Sequence, residues 1–232
     1  MTFQSLHLKA LWLGCHRIDL PSCASTNDEA ARLARAGARH GTLVIAERQT
    51  SGRGRDGRVF ESPPGGLYMS AVMRPPLPLV AVPAMTLAIG IGLCDAARTM
   101  GAPCELKWPN DALVRGRKLA GVLVEAQSQG GRLDSVIVGI GVNLSGELPE
   151  TIAEQAITLD EAAGTVVDRE KFIACLCAQV ERWVDRYAAV GIQAIIPAWQ
   201  ERMAHGLAAR ATIAGQPHVG HVAGLDDDGA LL

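Results

Sequence analysis

Two separated stretches of the chain combine cationic, amide and glycine residues in a pattern that suits an anionic reactant. Gly52–Arg58 places three arginines on a glycine-rich segment, and Lys107–Asp111 is followed by Arg117–Gly121. An arginine guanidinium is a planar fork that grips phosphate or carboxylate, and glycine lets the backbone bend closely around an anion. Because the net charge is only −2, this concentration of arginine predicts anion binding by Gly52–Arg58. The second stretch suggests that the anion also reacts.

The arginine segment also matches, formally, the glycine pattern of a dinucleotide-binding loop, Gly52-x-Gly54-x-x-Gly57. That fingerprint requires a helix directly after it, so that the pyrophosphate lies at the helix N-terminus. The next residues, Val59–Gly66, contain two consecutive prolines and cannot form a long helix. We therefore interpret the segment as a different anion-binding loop. The alternative is a solvated surface loop with incidental arginines.

Size and composition predict an ordinary globular protein. The 232 residues, 48% apolar and 20% charged, suffice for one sizeable domain and a small appendage. The near-neutral charge argues against DNA binding, which normally needs a basic face. The six cysteines are irregularly spaced and include no Cys-x-x-Cys pair, which indicates reduced thiols in a cytoplasmic protein.

No segment predicts a secretion signal or a membrane span. His7 and Lys9 interrupt any apolar core near the N-terminus. The long uncharged run Pro75–Cys94 contains four prolines, so its helix is expected to begin near Pro83. Between Pro83 and the charged Asp95 the helix then has fewer uncharged residues than the ~20 that a membrane span needs. We expect a buried core helix with Pro83 in its first turn.

Hydrophobic periodicity predicts an α+β fold, a mixed, largely antiparallel sheet packed with helices. Thr26 and Glu29 fit a capping box that opens a helix ending near Gly37, and a further helix is predicted from Gly191 to about Met203. The hairpin turns at Arg115-Gly116 and at Gln129–Gly131 favour antiparallel pairing. The predicted strands lie at or within Arg17–Leu20, Gly41–Gln49, Gly66–Arg74, Cys104–Lys107, Ala112–Arg115, Leu119–Ala126 and Ser135–Leu144, and the longest helix at Arg169–Val190.

The pattern changes near Ala208. Short strand-like pieces at Ala211–Ile213, Val219–Val222 and Ala230–Leu232 surround glycine and proline residues such as Gly215. Three short strands cannot close a barrel. We therefore predict a catalytic domain over 1–205 and, over 206–232, the start of an incomplete β-barrel.

Five blocks of the sequence together resemble the signature set of biotin–protein ligases, and they agree with it in order and spacing from about residue 23 to residue 146. The blocks are Ser25–Asn27, Gln49–Arg55, Lys107–Asp111, Lys118–Glu125 and Gly139–Leu144. The resemblance implies a fold of the class II synthetase and biotin–lipoate ligase type, with an SH3-like C-terminal barrel that is cut short here.

The resemblance also implies a reaction in two steps. The biotin carboxylate attacks the α-phosphate of ATP, with Mg²⁺, and gives biotinyl-AMP and pyrophosphate. A lysine of a biotin carboxyl carrier protein then attacks this mixed anhydride and releases AMP. The first step brings two anions together, so positive charge must be placed there in advance. A glycine-hinged loop can close over the labile adenylate and exclude water.

By position-matched resemblance, hydroxyl and amide side chains should bind the neutral urea ring of biotin, which needs donors and acceptors without charge. The expected biotin-binding residues are Ser25, Thr26, Asn27, Gln49, Arg53, Gly54, Arg55, Lys118 and Gly121. The alternative for Ser25 and Thr26 is helix capping.

The expected catalytic residues are Lys118, Arg53, Arg55 and Asp111, with Lys118 touching the biotin carboxylate and the α-phosphate. The residues expected to bind ATP or the adenylate are Arg53, Arg55, Arg58, Lys107, Asn110, Lys118 and Asn143. Asp111 is the expected Mg²⁺ ligand, and with Asn110 it could instead orient the incoming amine or form a plain β-turn. Lys107 could be a simple strand-end charge, and Lys118 an exposed strand lysine.

The chain departs from the family pattern at three places. Asp56 stands where relatives usually place a basic residue. About two dozen residues precede Ser25, too few for the winged helix of members that repress transcription, so we expect a short form without a DNA-binding domain. The short C-terminal region weakens the expectation for the ATP site. We expect a homodimer formed through the sheet. The alternatives are a lipoate or octanoyl ligase of the same fold and a biotin-binding protein without catalysis.

Overall fold

The structure, a computed structural model, describes residues 10–206, 208–213 and 216–232. His7, Lys9 and Gly215, which entered the sequence predictions, lie outside the described residues. The strands are β1 (His16–Leu20), β2 (Thr42–Ala46), β3 (Leu67–Met73), β4 (Glu105–Lys107), β5 (Asp111–Val114), β6 (Arg117–Gln129), β7 (Arg132–Val142), β8 (Ala208–Ile213) and β9 (Gln216–His221). The helices are α1 (Thr26–Arg35), α2 (Val82–Thr99), α3 (Glu150–Ala153), α4 (Leu159–Ala163), α5 (Arg169–Val190) and α6 (Ile196–Gln200).

The predicted mixed, largely antiparallel sheet is confirmed. Seven strands form one sheet in the order β1-β2-β3-β7-β6-β5-β4. The β1–β2 pair is parallel, and every other neighbouring pair in this sheet is antiparallel. The long hairpin of β6 and β7 lies at the centre of the sheet. It brings the Lys118–Glu125 and Gly139–Leu144 blocks of the sequence side by side.

The two faces of the sheet have different covers. On one face α1 packs against β2, β3 and β7 through a small apolar cluster that includes Ala30, Val44 and Val72. On the other face lies the main core, where α2 packs on β6 and is crossed by α5. A Cβ at Gly92 would lie 2.7 Å from Cα of Val180, so this glycine permits the close contact between α2 and α5.

The predicted core helix is confirmed, with Pro83 in its first turn. The expectation that it is too short to span a membrane is wrong, because a 3₁₀ turn extends the helical segment to Leu79–Thr99, whose mean hydropathy is 1.9. Length and composition alone would therefore allow a span. In the fold 61% of its most apolar window is buried, as expected of a helix inside a protein core.

Two local predictions are wrong. Ser25 rather than Thr26 occupies the N-cap of α1, and no side chain caps this helix. The backbone N–H and the hydroxyl of Thr26 both donate to Gln49, while Glu29 pairs with Arg32. The helix predicted from Gly191 to about Met203 is divided into a 3₁₀ turn, Ile192–Ala194, and the five-residue α6.

In the C-terminal region two of the three predicted strand-like pieces lie largely within a two-stranded antiparallel hairpin of β8 and β9. A single bridge joins Leu225 and Leu231 beyond it. Trp108 donates to the carbonyl of Gly229 and so ties this region to the Lys107–Asp111 block. The barrel and the domain boundary at residue 205 stay predictions.

Candidate active site

The floor of the site is a bare patch of the sheet beside α1. Register places Gly121 opposite both Asp111 and Gly141, and Gly141 opposite Tyr68, so these residues of four strands point to one face. A Cβ at Gly141 would lie 2.6 Å from the Phe60 ring. One at Gly121 would lie 3.2 Å from the Lys118 ammonium. The absent side chains leave a cavity of about 130 Å³ between the floor and the arginine loop.

One end of the cavity carries neutral hydrogen-bonding groups. The N–H and hydroxyl of Thr26 donate to Gln49 Oε1 at 2.8 and 3.0 Å, and Gln49 Nε2 donates to Ser62 Oγ at 3.0 Å. The Ser62 hydroxyl donates to the Phe60 carbonyl. Because each partner accepts or donates in a fixed sense, the Gln49 amide is held in one orientation.

Asn27 adds a second oriented amide. Its Nδ2 donates to Glu125 Oε2 at 2.5 Å, and its Oδ1 lies 2.6 Å from the Ser70 hydroxyl. Ser25, Thr26 and Asn27 are all buried at the start of α1. A Cβ at Gly139 would lie 2.3 Å from Asn27 Oδ1, so this glycine is required for the position of the amide.

The arginine loop is folded back on itself. The Gly54 N–H donates to Arg58 O, and the Phe60 N–H donates to Gly52 O. Both bonds join the residues before the 3₁₀ turn at Arg55–Gly57 to those after it. Asp56 has φ 55°, in the left-handed region that Asp and Asn tolerate better than other non-glycine residues. Asp56 is therefore a residue type that this turn accepts.

The three arginines of the loop differ in their partners. Arg53 donates to Asp28 at 2.6 Å and to Glu125 at 3.3 Å, and its hydrogen bond to Asp28 raises its pKa further. Arg55 and Arg58 line the cavity. Among the described residues, neither forms a salt bridge. Their charge is available to a phosphate.

Lys118 projects into the same cavity from the edge of the floor. Its ammonium lies 2.7 Å from Asp111 Oδ1 and 5.5 Å from the centroid of the Phe60 ring. The backbone of Lys118 is fixed by its N–H, which donates to Gln155 O, and by its carbonyl, which accepts from Ile157 N–H and from Asn143 Nδ2. A cation thus lines the same cavity as the oriented amides.

Most of the predicted site residues line this one cavity. They are Ser25, Thr26, Asn27, Gln49, Arg53, Gly54, Arg55, Arg58, Asn110, Asp111, Lys118 and Gly121. Lys107 and Asn143 line an adjoining cavity of about 520 Å³, which shares Lys118 and Asp111 with the first. Asn110 Nδ2 donates to the carbonyl of Val122 and so supports β6. Asn143 Nδ2 donates to the carbonyl of Lys118.

Sequence reasoning missed the carboxylates and hydroxyls that hold the site together. Asp28 and Glu125 bind Arg53, and Ser62 and Ser70 hydrogen-bond to the two amides. Glu125 closes the Lys118–Glu125 block, which could have indicated a role. Asp28, Ser62 and Ser70 carry no comparable signal.

The fit of Mg²⁺ depends on Asp111. Among the described residues, no group of three or more His, Cys, Asp or Glu side chains could hold a metal ion. Mg²⁺ commonly enters such sites with substrate phosphates and needs only one or two protein carboxylates. Asp111, the carboxylate on the cavity wall, suits that arrangement.

Comparison with known proteins identifies what this architecture is similar to. Residues 20–143 match the model of the biotin/lipoate A/B protein ligase family. The bifunctional ligase/repressor BirA of Bacillus subtilis is 35% identical over 231 residues, which cover 97% of this chain and 71% of that protein. The biotin–[acetyl-CoA-carboxylase] ligase of Paracoccus denitrificans is 35% identical over 218 residues, 90% of each chain.

Solved structures agree. The biotin protein ligase from Aquifex aeolicus in complex with biotin and ATP superposes with a TM-score of 0.82 at 29% identity and covers 94% of this chain and 90% of that one. The sheet and the helices on its two faces therefore belong to a known architecture, and the fold class that the sequence blocks predicted is confirmed.

Proposed function

Because the chain belongs to the biotin/lipoate A/B protein ligase family and is a biotin ligase, we propose that it joins biotin to a lysine of a carrier protein through biotinyl-AMP. The observation that carries this proposal is the polarity of one cavity. Its lining combines oriented, uncharged amides with three cations, Lys118, Arg55 and Arg58. A molecule with a neutral urea at one end and a carboxylate at the other matches that polarity.

The first step requires charge neutralisation. A carboxylate oxygen of biotin forms a bond to the α-phosphorus of ATP, and the bond from that phosphorus to the pyrophosphate oxygen breaks. We propose that Lys118 contacts both the attacking carboxylate and the phosphate, and that Arg55 and Arg58 hold the phosphate oxygens. Fixed cations stabilise the charge that gathers in such a transition state. Mg²⁺, held by phosphate oxygens and Asp111, would supply further positive charge.

The second step transfers the acyl group. The lysine amine of the carrier attacks the acyl carbon of biotinyl-AMP, the bond to the phosphate oxygen breaks, and AMP leaves while the nitrogen loses a proton. The same cations that stabilised adenylate formation stabilise the departing AMP. Asp111 and Asn110, which line the cavity, suit orientation of the amine. Closure of Gly52–Arg58 would keep water from the anhydride.

The lipoate alternative differs at the neutral end. Lipoate carries a carboxylate tail like that of biotin, but its ring is a disulfide without hydrogen-bonding groups. The side-chain amides of Asn27 and Gln49 each donate one N–H to a protein partner, and a dithiolane would offer no acceptor to the second N–H, which lowers affinity. The arrangement therefore favours a urea over a dithiolane.

The test is a reconstituted ligation. Purified protein is incubated with ATP, Mg²⁺, either biotin or lipoate, and the carrier domain of acetyl-CoA carboxylase, and the carrier is weighed by mass spectrometry. We expect the mass of one biotinyl group with biotin and no change with lipoate. A lipoyl adduct would support the alternative ligase, and biotin binding without any adduct would show a binding protein. Light scattering of the same sample tests the expected homodimer.

A further inference from the structure

We infer that Glu125 is a positioning residue that sets the hydrogen-bonding sense of the biotin end of the cavity, by fixing the Asn27 amide and tethering Arg53. The inference rests on the proposed function, because it assumes that the neutral end of the cavity receives the urea ring. It concerns a residue whose carboxylate acts on the ligand through its neighbours.

The carboxylate of Glu125 joins two elements of the site. It extends from β6, and its Oε2 accepts from Asn27 Nδ2 at 2.5 Å, while Oε1 lies 3.3 Å from an Arg53 nitrogen. Asn27 belongs to α1 and Arg53 to the arginine loop, so one side chain on the sheet connects both walls of the cavity. The Glu125 side chain is 39% exposed, which indicates that the contacts, and not burial, keep it in place.

An ionised carboxylate determines which way the Asn27 amide faces. A carboxylate can only accept hydrogen bonds, so Nδ2 must face Glu125, and Oδ1 faces Ser70. The Ser70 hydroxyl can donate or accept and therefore cannot choose the orientation alone. Asn27 is 4% exposed, so it has little access to water as a substitute partner. Without Glu125 both amide orientations would be populated, and one of them presents the wrong group to a urea.

The second effect of Glu125 is electrostatic. Arg53 lies between Asp28 and Glu125, so its charge is compensated before any ligand arrives. The pairing neutralises the cation beside the Asn27 amide, whereas Arg55 and Arg58 have no carboxylate partner among the described residues and remain for the carboxylate and phosphate. Loss of one carboxylate would move Arg53 towards the ligand and weaken the separation of neutral and charged ends.

The experiment compares biotin binding and turnover in Glu125→Gln and Glu125→Met with the wild type. Gln retains an accepting oxygen but no longer dictates the amide orientation, and Met has a similar shape with no strong acceptor. We expect the Kd for biotin, by calorimetry, to rise about tenfold for Gln and further for Met, a range that one or two lost hydrogen bonds explain. KM for biotin should rise in parallel, while kcat at saturating biotin changes less.

Two controls isolate the route through Asn27. Glu29 lies in α1, as Asn27 does, and its carboxylate pairs with Arg32 and contacts neither Asn27 nor Arg53. The Glu29→Gln variant should therefore bind biotin as the wild type does. In a double-mutant cycle with Asn27→Ala, adding Glu125→Gln should raise Kd by less than it does in the wild type, because only the effect through Arg53 remains. A merely structural role would lower the melting temperature without this non-additivity.

The outcomes separate the two proposals. If the wild type fails to bind biotin, the proposed function is wrong. The inference about Glu125 is overturned if the wild type binds biotin and both Glu125 variants have the same Kd as the wild type. It is also overturned if the effects of Asn27→Ala and Glu125→Gln on the binding free energy simply add. Should Glu125→Gln fail to fold, the Met variant alone decides, since it preserves the packing of the side chain without the charge.

Discussion

Lys118 and Asp111 form their 2.7 Å ion pair because β6 contains a bulge. Asp111 is paired with Gly121 and Leu113 with Lys118, so Leu119 is the extra residue. Strict alternation from Gly121 would turn Lys118 to the opposite face of the sheet. Leu119 and Ala120 are instead both buried in the main core, and Lys118 faces the cavity. A bulge beside an active site commonly re-aims a side chain in this way.

This cation should be needed for adenylate formation more than for biotin binding. In Lys118→Ala the carboxylate and the α-phosphate would meet without the ammonium between them, so the rate should fall about 10²–10³-fold, as when one preorganised stabilising group is removed. Pyrophosphate release measures this rate, and calorimetry with biotin measures binding, which should change far less. Near-normal turnover would remove Lys118 from the mechanism.

The bulge also shows where sequence reasoning stops. The sequence blocks predicted Lys118 as a site residue, and periodicity predicted β6, but the period of two would have placed the ammonium in the core. The register shift follows from how β5 and β6 pair over many residues, which no local pattern reveals. Glu125 was overlooked for a similar reason, because its partners lie 72 and 98 residues away in the chain.

Local rules were reliable where one neighbour decided the outcome and failed where a distant one did. Pro83 is in the first turn of α2, as its missing N–H requires. Thr26 is a residue type that often caps helices, yet its N–H and its hydroxyl both donate to Gln49. The position of the neutral residues in one cavity could be predicted from the sequence, but their hydrogen-bond partners could not.

Arg55 should control the escape of the intermediate. It lies at the start of the 3₁₀ turn of the arginine loop and lines the cavity, so Arg55→Gly should weaken the grip on the adenylate and raise its off-rate. Adenylate synthesis should persist in part, while released biotinyl-AMP acylates bystander lysines. Streptavidin blotting of added albumin measures this. The exposed Arg39, outside the cavity, gives the matched variant Arg39→Gly. Equal release from both variants would refute the role of the loop as a lid.

Gly139 should tolerate no side chain. A Cβ there would lie 2.3 Å from Oδ1 and 3.0 Å from Cγ of Asn27, so Gly139→Ala must displace the buried amide. Overpacking of this kind costs about 1–3 kcal/mol of stability, and biotin affinity should fall with it. Thermal melts and calorimetry measure the two effects. At Gly220 an added Cβ meets nothing within 4 Å, so Gly220→Ala is the control. Unchanged biotin binding in Gly139→Ala would contradict the role of Asn27.

Protonation of His40 should make the fold less stable in mild acid. His40 Nδ1 accepts from the backbone N–H of Arg74 at 2.8 Å, and its ring lies 4.2 Å from that of Trp12. Burial lowers the pKa of His40, and Arg74 acts in the same direction, while Asp185 and Glu181 oppose them. Protonation would put an N–H where the Arg74 N–H needs an acceptor, so the neutral ring is the native form.

The sign of the effect follows from the lowered pKa of His40. As the pH falls below about 6.5, the ordinary pKa of histidine, the unfolded chain binds the proton first. The stabilising contribution is therefore complete above about pH 6.5 and is lost progressively down to the pKa of the folded state. Urea unfolding at about pH 7.5 and about pH 5.5 measures the change, and His40→Asn, which keeps an acceptor but does not titrate, should flatten it. Since the remaining histidines are present in both proteins, an identical pH dependence would show that His40 is not responsible.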